Sequence, residues 1–341
     1  MCGLRFVPSV YITMGNKARY YIFTPAHFCS GGPEALHQLA YYMRKLGMDA
    51  YTVYYTYSGF PDVQPIDRYK QYEVSVVRYG EIEDKAGNYI IVPENAPWSL
   101  NGFKKAQKCI WWLSLHANEV KKGSLKERAK LMKRRLLHED LGYYRHIDFN
   151  PDDCWHLCGS KHTFLYASEL YKKSKVAYLV EPISLDFLRM GNADFPTERE
   201  DVVLYNPSKP SAIMTELLER GRFNYVPLKG YTPEGLAERY KESKLYVDFG
   251  HFGGPERMPK EAVYFGCNIL VANHNAASND FDVAIPQQYK VADGTSAVQI
   301  ESQIAEMLNG YEMQKDDFLP FKKKVERLET SFMEQLRTVF V

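Results

Sequence analysis

Between positions 245 and 269 the chain reads LYVDFGHFGGPERMPKEAVYFGCNI. A short apolar run meets a loop holding Gly250, Gly253, Gly254 and Pro255. A helical stretch with Glu256, Arg257, Lys260 and Glu261 follows, then a second apolar run from 267 to 271. Strand, glycine loop, helix and strand in this order make a βαβ unit, and that leaves few folds open. The same alternation runs through the rest of the chain. A strand over 20–24 leads through a loop at 25–32 to a helix with Pro33 in its first turn. That helix carries Leu36, Leu39, Ala40, Met43 and Leu46 at helical spacing and stops at Gly47. Further strands are predicted over 51–55, 74–79, 89–92, 109–115 and 176–180, then over 202–205 and 224–228, with helices over 211–220, 233–243 and 298–309 between or after them.

The expected class is therefore α/β: two Rossmann-like, doubly wound domains facing a cleft. The chain of 341 residues suits two domains of roughly 150 residues each. The predicted division is 1–185, 186–319 and a last helix over 320–341 that crosses back to the first domain. The boundary falls near 181–201, where periodicity fades and breakers accumulate.

Composition narrows the setting. With 45% hydrophobic and 25% charged residues the chain reads as globular, and no run of about 18 apolar residues stands out as a membrane span. The first residues lack the basic leader and cleavage site of a secretory signal, and six scattered cysteines form no disulfide framework; a cytoplasmic protein is expected. A net charge of +1 gives no global bias toward nucleic acid. Positions 121–135 differ locally, with eight basic residues against one acid and a helical stripe of Leu125, Ala129, Met132 and Leu136. The stripe is expected to pack on a sheet, while the basic helix 121–141 offers a peripheral contact for anionic lipid.

Several residues read as chemistry. Glycines before a helix N-terminus let backbone N–H groups approach an anion, and carboxylates one turn on accept hydrogen bonds from hydroxyls, a combination that suits a sugar nucleotide. Gly31 and Gly32, between the first strand and its helix, read likewise, flanked by His27 and Glu34 as proton acceptors. His116 ends the run IWWLSLH, and Pro93-Glu94 and Ser160 also follow strands. Cys154, His156 and Cys158 alternate as a strand would, but lack the paired knuckles of a zinc site. No acidic metal signature stands out, and metal-independent chemistry is expected.

The order of elements, the Gly31-Gly32 loop, YNPSKP at 205–210 and PERMPKEAVYFGC resemble GT-B glycosyltransferases, especially the bacterial group for surface polysaccharides, many of them retaining. In that group two glutamates separated by seven residues bind the donor. Glu261-Ala262 before Gly266-Cys267 matches the second; Gly253 stands where the first belongs, and Glu256 is the candidate substitute. The resemblance implies transfer from a nucleoside-diphosphate sugar to a glycan or glycolipid acceptor, with no cofactor or metal and with retention preferred. It implies Lys209 and Arg257 at the diphosphate, His116 and His27 on the acceptor side, and Asn206, Gly250, Phe252, Gly253, Gly254, Glu256 and Glu261 around the donor. A DNA-modifying glucosyltransferase and a non-catalytic nucleotide-sugar-binding protein remain as alternatives.

Overall fold

The computed structural model describes residues 17–56, 58–115, 125–137, 151–191, 196 and 198–341. Among them, two parallel sheets carry the architecture. The first has six strands, β1 (Arg19–Pro25), β2 (Asp49–Tyr55), β3 (Tyr89–Pro93), β4 (Gln107–Trp112), β5 (Trp155–Cys158) and β6 (Val176–Tyr178), in the order β2-β1-β3-β4-β5-β6. The second has five, β7 (Glu200–Tyr205), β8 (Asn224–Pro227), β9 (Ser243–Asp248), β10 (Asn268–Ala272) and β11 (Lys290–Val291), in the order β11-β10-β9-β7-β8. The strand order reverses between β1 and β3 and again between β7 and β9. In open parallel sheets such switch points mark the ligand crevice, outside the carboxyl ends of the strands.

Alternate residues of β1 show why these runs are strands with two covered faces. Tyr20 and Ile22 join one core with Leu36, Leu39 and Met43 of α1 (Gly31–Lys45), whereas Tyr21 and Phe23 join another with Val92, Ile110 and Trp112. The remaining helices follow in chain order: α2 (Leu125–Leu136), α3 (Lys161–Leu170), α4 (Leu185–Met190), α5 (Ala212–Arg220), α6 (Pro233–Glu242), α7 (Arg257–Tyr264), α8 (Ala297–Asn309), α9 (Tyr311–Gln314), α10 (Leu319–Glu326) and α11 (Leu328–Phe340). Core membership changes from the first sheet to the second between Leu179 and Ile183, and returns between Leu328 and Phe332. Thus α10 stays with the second domain, packing Phe321 and Val325 there, and only α11 lies under the first sheet.

Three local expectations need correction. The stretch 74–79 makes only one parallel bridge, Val76 to Thr52, because Glu73 enters in the left-handed region and Tyr79 leaves to stack on Phe60 at 3.8 Å. Helix α1 begins at Gly31, two residues before Pro33. The stripe on α2 does not pack: Met132 is 69% and Leu136 77% exposed, and the helix buries Leu131 instead. Residues Glu127, Leu131 and Arg134, spaced by four and three, form the inward side, and Ala129, Met132 and Leu136 lie on the outward one.

Candidate functional site

The two switch points face each other. A cavity of about 460 Å³ lies between them, lined from the first domain by Gly31, Gly32, Glu94, Asn95, Ser114 and Glu181, and from the second by Lys209, His251, Gly254, Glu256 and Arg257. This size falls within the range of small-molecule sites, roughly 300–1,000 Å³.

Arg257 opens α7 and reaches across the seam. Its Nη1 donates to Glu34 Oε2 at 3.0 Å and to the Gly31 carbonyl at 3.4 Å, while its Nε lies 3.6 Å from Glu261 Oε1. Gly31 makes room for this arm, because a Cβ there would sit 2.9 Å from Arg257 Cδ. Two buried nitrogens of Arg257, Nε and Nη2, have no hydrogen-bond acceptor. Nε still has the Glu261 carboxylate within ion-pair distance, so the guanidinium is balanced between Glu34 on one domain and Glu261 on the other.

Glu34 anchors the other end. Burial alone would raise its pKa, but Arg257 and Arg68, with hydrogen bonds from Tyr72 and Ser184, bring it down to about 2. A carboxylate held this firmly is a poor proton acceptor, which removes it from that role. Glu261 sits beneath Arg257 and outside the cavity lining; burial raises its pKa against the opposing pull of Arg257. It supports the guanidinium from beneath.

Lys209, on the loop after β7, pairs with Glu256 and donates to the His251 carbonyl at 3.4 Å. Asn206 builds that loop, its Oδ1 accepting the Ser208 N–H at 2.9 Å. Burial raises the pKa of Glu256, with Lys209 countering.

The glycine loop packs closely on both sides. The Gly250 N–H donates to Asp248 Oδ1 at 3.0 Å, and a Cβ at Gly250 would meet Lys209 Cβ at 2.7 Å. Gly253 accepts the Leu115 N–H at 2.8 Å, and a Cβ at Gly254 would lie 2.0 Å from the Leu113 carbonyl oxygen. A close backbone approach is therefore made to the end of β4 across the seam, while Gly254 also lines the cavity. Phe252 is fully buried, its carbonyl accepting from Ala276, and it supports Lys209, whose Nζ lies 5.4 Å from the ring.

On the first domain, His27 is exposed, at φ 65° and outside the cavity lining. His116 lies outside the described residues. Glu94 emerges instead: only 7% exposed, at the carboxyl end of β3, it accepts the Leu113 N–H at 3.2 Å, and burial pushes its pKa up to about 7. Glu181 also lines the cavity, with one oxygen 3.2 Å from Lys260 Nζ and the other, Oε2, buried without a partner. The sequence marked Glu94 only by its place after a strand, and Glu181 only as the start of the domain boundary.

The alternating Cys154, His156 and Cys158 are core residues. His156 Nδ1 accepts the Trp112 indole N–H at 2.9 Å and its Nε2 meets the Pro151 carbonyl at 3.2 Å, so neither ring nitrogen is left for a metal. Burial lowers its pKa to about 4 and pushes both thiols up to about 12.

Neither a protein-family profile nor a curated protein sequence matches the chain. Solved structures do. A sucrose-phosphate synthase from Thermosynechococcus elongatus superposes with a TM-score of 0.64 at 12% identity, over 95% of this chain and 98% of that one. The pneumococcal O-GlcNAc transferase GtfA, solved with UDP and GlcNAc, gives 0.58 at 9% over 96% and 99%. The T4 phage BGT, solved with UDP-glucose, gives 0.55 at 7% over 94% and 98%. With two switch points opposed across a seam and these likenesses over nearly the full length, the fold is GT-B, the two-domain arrangement of nucleotide-sugar glycosyltransferases.

Proposed function

We propose that this chain transfers a sugar from a nucleoside-diphosphate sugar, held mainly by the second domain, to an acceptor hydroxyl of a glycan or glycolipid placed against the first. One observation carries the reading: Arg257 and Lys209, two cations from the second domain, line a single cavity bounded by both switch points. As the bond between the anomeric carbon and the phosphate oxygen breaks, its electron pair leaves with the diphosphate. Two fixed cations meet that charge where it grows. Lys209 exchanges Glu256 for a phosphate oxygen on donor entry. Side chains supply the positive charge, so the proposed reaction needs neither metal nor cofactor.

The stereochemistry has a second reading. The resemblance implies retention, but Glu94 is a cleft carboxyl with a pKa of about 7 on the acceptor side, and it supports proton removal with inversion. In that step the acceptor hydroxyl gives its proton to Glu94 as its oxygen bonds to the anomeric carbon.

We place the protein in the cytoplasm, at the face of an anionic membrane. Exposed Met132 and Leu136 among the lysines and arginines of α2 support this. No helix among the described residues is long and apolar enough to cross a membrane.

Calorimetric titration with UDP, TDP, GDP and ADP tests the donor site. At least one is expected to bind, and Arg257→Ala or Lys209→Ala to weaken it by about tenfold or more. No binding by any of the four, or binding indifferent to both substitutions, would sink the assignment.

A further inference from the structure

A second cavity, of about 540 Å³, lies on the far side of the seam, where the chain makes its return crossing. Its walls come from both domains and from the crossing itself: Gly159 and Val180 at the ends of β5 and β6, Lys260 of α7, Phe281, and the α10–α11 segment. Lys323, Lys324 and Arg327 line it, and none of the three forms a salt bridge with a described residue. Lys324 Nζ lies 4.3 Å from the centre of the Phe281 ring, which is 41% exposed, and burial lowers its pKa.

The one acid in the lining is already committed. Asp282 accepts the N–H groups of Lys161 at 2.7 Å and His162 at 3.1 Å, the first turn of α3, and Asn279 Nδ2 at 2.8 Å. The fourth cation, Lys260, is held by Glu181. Three cations thus line a cavity with one exposed aromatic ring against a single acid, Asp282, whose charge also acts on Lys324, and this surplus of positive charge beside a ring fits a phosphate group joined to a flat or apolar ring.

We propose that this hinge cavity binds a small organic phosphate carrying a ring, gripped by Lys323, Lys324 and Arg327 with the ring on Phe281. Such a ligand bridges both domains and the crossing segment, and so favours the arrangement seen here. Its effect reaches the cleft through one shared wall: Lys260 faces this cavity, its partner Glu181 lines the other, and α7 carries Arg257 as well as Lys260. Linkage then requires the two sites to affect each other equally. This coupling rests on the donor reading of the cleft; the binding itself does not.

The probes are phenyl phosphate, inorganic phosphate and benzyl alcohol, titrated into the full chain by calorimetry. Phenyl phosphate is expected to bind more tightly than inorganic phosphate, and benzyl alcohol not to bind. Lys324→Ala at a half-buried position and Arg327→Ala at an exposed one are each expected to weaken phenyl phosphate about tenfold and to leave UDP binding in its absence unchanged, whereas Lys209→Ala spares phenyl phosphate. Saturating phenyl phosphate is expected to tighten UDP about threefold or more, an effect lost in Lys324→Ala. No phenyl phosphate binding up to about 10 mM, or binding removed by Lys209→Ala and untouched at Lys324 and Arg327, overturns the proposal. Failure of UDP to bind, with phenyl phosphate still lost in the hinge variants, overturns the donor reading and leaves the hinge site standing.

Discussion

Arg257 and Glu94 divide the cleft between an always-charged group and one that changes charge near neutrality. Burial raises the Glu94 pKa from an ordinary carboxyl value to about 7. As a proton acceptor it must be ionised, so transfer is expected to rise as pH climbs through about 7 and to level off above it. Glu94→Gln is expected to lose about 10² or more in rate and to lose that acid limb, with UDP affinity unchanged. A variant within threefold of the parent, with the same profile, removes Glu94 from the chemistry. Stability has the opposite sign. A raised folded pKa stabilises at low pH and loses its contribution as pH rises toward 7, so the substitution should raise the melting temperature more at pH 8 than at pH 5. Lys209 and Arg257 were legible because a loop after one strand and a glycine-to-helix junction after another are local patterns. Glu94 and Glu181 were not, since their meaning depends on strand order, which places the ends of β3 and β6 on the same crevice.

Helix α2 shows where periodicity reaches its limit. The sequence pattern correctly gives a helix with an apolar stripe, but which side faces protein depends on tertiary packing, and Leu131 rather than Met132 is inside. That leaves apolar and basic groups together on the surface. Sedimentation with vesicles of anionic phospholipid is expected to carry the protein down, and with zwitterionic phospholipid not to. Met132→Glu with Leu136→Glu should abolish the difference, and unchanged pelleting would exclude this surface as the contact. The β-strands were easier to read, because runs such as 268–272 are buried on both sides whatever their neighbours.

At the scale of the molecule, the seam is set by backbone contact at Gly253 and Gly254. A Cβ at Gly254 would meet the Leu113 carbonyl oxygen at 2.0 Å, so Gly254→Ala forces the halves apart there. The variant is expected to show a larger radius of gyration in solution scattering and weaker nucleotide binding, with a melting temperature lowered by a few degrees. An unchanged radius together with unchanged affinity would show the seam to be looser than this packing implies. The fold itself followed from alternation along the chain. The roles of the glycines did not, because a close approach reads the same in sequence whether it is made to a phosphate or to another strand.

The polypeptide passes between its halves twice, once near 179–183 and once near 328–332. Two tethers side by side act like the pins of a door. Such pins permit swinging about the line that joins them and resist twisting or sliding, so a cleft that gapes would keep its opposed loops in line and, on closing, bring Arg257 back to the same opening beside Gly31.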